Sequence, residues 1–304
     1  MTPDLTDLAA EIAINPSQAI GIPLALVGAV FLSLGAQFQH RGVTKVEAKT
    51  AEVTGGLNPR QLMLLLGRPS WVFGTIMLGM AILFQLSSLA FAPIIMVQPL
   101  GAVALVITSI LNSRITRVPV NRASKIAIAM CVGGVALFVT VAAFTAVDKP
   151  VTDGNLITIL IVLSVVLAVF GIAFVRLRTR FKAIFYIVGA GVLYGFVATL
   201  AKVVINRTQN GNFEWLTLTC VIGLLLAAGL GAYFVQNAYA SGPPDLVIAG
   251  LTVIDPLIAV GIGIVVLGEI EQAPPWAAVG FIVAGVIAIV GVFLLARYHP
   301  LAVD

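Results

Sequence analysis

Apolar runs of about 20 residues, each long enough to cross roughly 30 Å of hydrocarbon as a helix, recur along this chain from end to end. Nine are readable, at approximately 19–39, 70–91, 92–113, 123–145, 155–175, 184–205, 214–238, 246–267 and 276–296. The segments between them are too short for a soluble domain. A backbone in lipid must satisfy its own hydrogen bonds, so runs of this length predict helices. Charged residues make up 10% of the 304 positions, against about 25% in a soluble domain. The expected fold is an all-α polytopic membrane protein.

Basic residues are distributed unevenly among the connections. Arg41, Lys45, Lys49, Arg60 and Arg68 follow the first run, and Arg114, Arg117, Arg122 and Lys125 follow the third. Arg176, Arg178, Arg180 and Lys182 follow the fifth, and Arg297 follows the ninth. With nine crossings, these 14 of 17 Lys and Arg residues fall on one side, which the positive-inside rule makes cytoplasmic. The opposite connections carry Asp148, Asp153, Glu214, Glu269 and Glu271. The expectation is a multi-pass cell (plasma) membrane protein with its N-terminus outside and its C-terminus cytoplasmic. Residues 1–18 contain acids but no Lys or Arg, unlike a secretory signal, which opens with positive charge. The same bias accounts for the pI near 9.3, so no nucleic-acid partner is expected. In 40–69, "NPRQLMLLLGRPSW" predicts a short interfacial helix with Asn58 as its cap.

An internal repeat organises the runs. "QPLGAV" at 98–103 returns as "DPLIAV" at 255–260, and upstream "QLSSLAFAP" from Gln85 is echoed by "QNAYASGPP" from Gln236. Spans one to four pair with spans six to nine, leaving span five as connector. The repeats are 1–145 and 183–304, with 146–182 between them. An odd number of crossings separates mates, so the halves are expected to be inverted. That is a common construction of secondary transporters, in which interrupted helices at matching positions mark a midplane substrate site. Pro99 and Pro256 are the expected helix breaks, since each removes one intrahelical hydrogen bond.

Asp255 is the expected substrate-binding or coupling residue, with Gln98, its counterpart in the first repeat, beside it. A carboxylate near mid-bilayer costs at least about 2.5 kcal/mol, and such groups mark functional sites. Lys202, inside span six, has two readings: its stem snorkels to the interface, or it pairs with Asp255 across the bundle. Tyr194, with Gln85 and Gln236, completes the candidate lining. Gly21, Gly28 and Gly35 mark one face of span one, while Gly191 and Gly195 form a GxxxG in span six, as close helix packing in a membrane requires. Cys131 and Cys220 sit inside apolar runs and read as buried thiols. No metal-ligand spacing, nucleotide-binding motif or catalytic triad is present, so neither enzymatic activity nor a cofactor is expected.

"DPLIAVGIGIVVLGE" places a proline thirteen residues before Glu269 and resembles the corresponding signature of EamA-type drug/metabolite transporters. "WAAVGFIVAGVIAIVG" resembles the last helix of that family. "LAFAPIIMVQPLGAVALVITSIL" and "SKIAIAMCVGGVALFV" are similar to segments of NIPA-type magnesium transporters, a branch of the same superfamily. The resemblance covers 70–145 and, more loosely, 184–296. It implies transport of a small molecule or ion across the lipid bilayer. The chain departs from the NIPA pattern in having Ile82 and "RVPV" where that branch carries acids, and Asn112 in the place that Glu269 holds in the second half. Magnesium is held through oxygens and usually one or two carboxylates. Three readings follow: a secondary transporter of a small solute, a NIPA-like magnesium or divalent-cation carrier, and a non-transporting accessory or lipid-handling membrane protein.

Overall fold

A computed structural model describes residues 16–50, 66–116, 121–177, 182–241 and 244–298. The interfacial helix expected after Asn58 falls outside them. The described elements are α1 (Pro16–Thr50), α2 (Pro69–Phe91), α3 (Ile94–Leu100), α4 (Ala102–Thr116), α5 (Arg122–Thr145), α6 (Asp153–Leu177), α7 (Lys182–Gln209), α8 (Trp215–Ser241), α9 (Pro244–Val265) and α10 (Pro275–Tyr298). Eight segments of them are long and apolar enough to cross a membrane, with α3 and α4 together supplying one, and Gly250–Val265 of α9 adds a shorter apolar stretch. The protein is an all-helical polytopic membrane protein. Leu, Ile, Val and Phe side chains lie exposed along most helices, as a lipid-facing surface requires.

Local chemistry sets the helix ends. Asn121 caps α5 by accepting a 2.7 Å hydrogen bond from the Ser124 amide. Gly211 and Gly268 adopt φ values of 73° and 66° beyond α7 and α9, a left-handed turn that glycine enters without a Cβ penalty. α2 stops because Ala92 precedes Pro93, and a residue before proline is driven out of the helical region; Ala92 is extended at φ −136°, ψ 153°.

Glycines decide which helices touch. A methyl placed on Gly21 would lie 2.5 Å from Ala92 Cβ, one on Gly28 3.3 Å from Phe84 Cβ, and one on Gly35 2.9 Å from Leu78 Cδ2. Seven steps up α1 thus answer about seven steps down α2, and the glycine face read from the sequence is the α1–α2 seam. Gly191 and Gly195 play the same part between α7 and α9, where Ile254 and Ile258 sit 2.7 Å from the corresponding methyl positions.

The α5–α10 seam is reciprocal. A methyl on Gly134 would meet Ala288 N at 2.5 Å and Ala284 O at 2.9 Å, and one on Gly291 would meet Cys131 N and, at 3.0 Å, Ala127 O. Gly291, Ala288 and Ala284 each lie 157 positions after Gly134, Cys131 and Ala127, the same shift that carries Pro99 to Pro256.

One expectation of the sequence is corrected here and another shifted. Pro256 does not interrupt its helix: α9 runs unbroken from Pro244 to Val265, because one lost hydrogen bond is tolerable when the remaining ladder continues. Near Pro99 the interruption falls two residues later, at Gly101, which keeps helical φ and ψ while its amide bonds to Gln98 O at 3.1 Å. The complete break is upstream, at Ala92 and Pro93.

Candidate functional site

The break between α2 and α3 leaves carbonyls without amide partners on one side and amides without carbonyls on the other. Two charged side chains from the second half of the chain meet them. Lys202 of α7 donates to Leu89 O at 2.8 Å and to Ala92 O at 3.0 Å. Glu269, in the turn after α9, accepts from the Ile94 amide at 2.8 Å through Oε1 and from the Ile95 amide at 2.9 Å through Oε2. A cation thus sits at the negative end of one helix and an anion at the positive end of the next. Both residues are only 2% exposed. Burial pushes the Glu269 carboxyl up to about 7, outweighing the downward pull of the two amides and of Lys202, while Asp148 adds to the rise.

Asp148 completes the cluster, with Oδ2 2.8 Å from Lys202 Nζ and a side chain 34% exposed. It belongs to the segment joining α5 to α6, and that segment is fastened throughout. The Val147 amide donates to Glu269 O at 2.8 Å, and the Val151 amide to Asn206 Oδ1 at 3.3 Å. Arg207 pairs with Asp153 at 2.8 Å, Asn155 Nδ2 donates to Val266 O at 2.5 Å, and Lys149 pairs with Glu271 on the exposed rim. These groups gather at the end of the bundle opposite Arg122 and Arg297, here called the acidic end.

Asp255 lies elsewhere. The Gly195–Ile258 contact sets the register of α7 against α9, which puts Lys202 and Asp255 roughly ten residues apart along the bundle, or about 15 Å at helical rise. The expected Lys202–Asp255 pair therefore does not form, and neither does free snorkelling: Asp148 and two carbonyls take the charge. Asp255 Oδ1 is buried and accepts no hydrogen bond, although the residue as a whole is partly accessible. Gln98 is buried at 6% exposure. Ile94 packs on Gly263, and counting along the antiparallel helices from that contact sets Gln98 about a turn from Asp255.

The remaining candidates scatter. Tyr194 lays its ring over Gly231 of α8, 2.9 Å from the position a methyl there would take. Gln85 is half-buried where α2 crosses Gly28. Gln236 belongs to α8, and its side chain lies outside the described residues. Pro99 and Pro256 do come together, lining an apolar cleft of about 90 Å³ with Val135, Val292, Phe138 and Val260. The 157-position shift pairs Val135 with Val292 as it pairs the prolines.

Sequence reasoning did not assign Asp148 and Glu269 to this site. A signal was present: a lysine inside a span needs an acceptor, and the acids of the neighbouring short connections are the nearest supply. The break in "AFAP" likewise announces unpaired backbone groups.

Comparison with known proteins places the chain beside one relative. It is 24% identical over 283 residues to an uncharacterized protein of Corynebacterium glutamicum, across 92% of this chain and 96% of that protein. No family model matches the chain, and no solved structure matches it.

Proposed function

We propose that this protein is a secondary transporter, built from two inverted halves, that moves a small solute across the cell membrane by alternating access. The observation carrying the proposal is the reciprocal α5–α10 seam: antiparallel mates that exchange the same contacts are what a two-fold axis in the membrane plane produces. Inverted halves with a site between them are a recurrent transporter design. Two further features support it. The prolines at matching positions share one cleft, and Asp255 leaves a carboxylate oxygen unbonded inside a span, where an unsatisfied polar group calls for a functional account. In this reading Asp255 binds the substrate or the coupling ion. The resemblance to drug/metabolite transporters points the same way, and the positive-inside rule puts the acidic end outside.

Divalent-cation transport of NIPA type is the weaker alternative, because Ile82 and "RVPV" stand where that branch carries acids. A thermal-shift screen of purified protein against metabolites, organic cations and divalent ions selects a ligand, and flux of that ligand is then measured in proteoliposomes. Asp255→Asn should abolish flux while leaving the melting temperature within a few degrees of the parent. Full flux by the Asn variant from pH 5.5 to 8 would reduce Asp255 to a structural residue. Absence of flux for every ligand that stabilises the parent would favour a non-transporting membrane component.

A further inference from the structure

At the acidic end, Ile94, Ile95, Met96 and Val97 of α3 have no exposed surface, and neither have Ala259 and Ala277 facing them. In an alternating-access cycle a solute reaches a midplane site from this end only when such packing opens. The contacts that would have to break are therefore those at the closed end that join the two halves.

Four hydrogen bonds there answer that description: Lys202 to the carbonyls of Leu89 and Ala92, and Glu269 to the amides of Ile94 and Ile95. Each runs from the second half to the first. Their targets flank α3, a seven-residue helix bounded by the extended Ala92 on one side and Gly101 on the other. The extended Ala92 separates α3 from α2, and Gly101, which keeps helical φ and ψ, is the point about which α3 would tilt against α4. Lys202 is seven residues from the end of α7, about 10 Å at helical rise, so water can reach these groups once they separate. Asp148 ties the connector to the same lysine. The charged groups around Glu269 are Lys202 from α7, Asp148 from the connector, and Lys149 and Glu271 at the rim.

We propose that Lys202, Asp148 and Glu269 form the gate closing the acidic end, and that α3 is the element released when it opens. Polar contacts suit the role because water replaces them on opening, whereas the charges alone add little net stability over an apolar plug. The gate rests on the transporter reading, since it names the moving parts of that cycle.

A reporter cysteine tests it. In a Cys131→Ala, Cys220→Ala background, Ile94→Cys places a thiol on α3 where it packs against Gly263. Its reaction with a membrane-impermeant maleimide is followed from the acidic-end face of reconstituted vesicles. The thiol should be nearly inert in the parent and react at least tenfold faster with Asp148→Asn or Lys202→Met, while Lys149→Ala changes nothing. Should Lys202→Met fail to fold, Asp148→Asn carries the test, because that side chain is partly exposed. A parent-like rate in a monodisperse Asp148→Asn protein overturns the gate, and so does an equal acceleration by Lys149→Ala. Flux in the same vesicles separates the two readings: flux with an unchanged labelling rate removes the gate alone. Faster labelling with no flux of any stabilising ligand leaves α3 an element released by the cluster but removes the transporter, and with it the cluster's role as a gate.

Discussion

Lys202 and Asp255 are both charges inside helical spans, and the molecule treats them in opposite ways. Lys202 has three acceptors; Asp255 Oδ1 has no hydrogen-bond partner. The difference comes from the backbone around each. Lys202 faces a helix break, where two carbonyls lack amides and accept from its ammonium group. Asp255 sits in α9, which stays helical across Pro256, so the amides above and below it are already engaged in the helix ladder. A broken helix can solvate a charge, while an intact one leaves it for something else to satisfy. On that ground the acidic-end cluster reads as a fastening and Asp255 as a site.

The strongest way to break this comparison is to remove the better-satisfied charge. Lys202→Met keeps the stem but deprives two carbonyls and Asp148 of their donor, and stripping one partner from a buried pair typically costs about 3 kcal/mol or more. Melting in detergent should drop by several degrees, far more than for Asp255→Asn. Equal shifts for the two variants would undo the distinction between fastening and site.

Next in size is the α5–α10 seam. Gly134→Ala and Gly291→Ala each drive a methyl into the backbone of the facing helix, and overpacking of this kind costs about 1–3 kcal/mol. Because the contacts are reciprocal, the two losses should match closely. Gly133→Ala, whose methyl would meet nothing within 4 Å, is the control and should be neutral or slightly stabilising. A large loss at one glycine and none at the other would contradict the symmetry.

Glu269 sharpens the comparison through pH. Its carboxyl is raised from 4.5 to about 7 by burial, so between those values the folded protein binds more protons than the unfolded chain. The stabilisation from that proton is complete below about 4.5 and is lost as pH rises through about 7. The melting temperature should fall over that interval, and Glu269→Gln should flatten the fall. An unchanged slope in the Gln variant would assign the titration to another group.

The smallest effect is expected at the rim. Lys149 holds Glu271 below the usual carboxylate range, but the pair is exposed, and exposed pairs contribute little. Lys149→Ala should leave the melting curve unchanged, which makes it a reference for the buried cluster.

Helix positions were legible in the sequence, and so was the glycine face of α1, though not that α2 covers it. "GIPLALVGAVFLSLG" carries its glycines every seven residues, and that period alone specifies one face. The site was legible only in part. Asp255 could be singled out because a carboxylate in an apolar run is costly wherever the run ends up. Tyr194 and Gln85 could not be sorted from lining residues, because which neighbour a side chain meets depends on helix rotation. Composition and run length do not specify rotation.

What the sequence by itself determined is the set of membrane helices, their order and the glycine faces of α1 and α7. Those follow from hydrogen bonding within each run and from small residues at fixed spacing, both local properties. Only the tertiary structure decided that Lys202 belongs to Asp148, that Glu269 caps α3, and that α9 passes Pro256 unbroken. The first two depend on the axial register of helices brought together from distant parts of the chain. The third depends on whether neighbouring packing supports a helix that has lost one bond. Local sequence encodes neither.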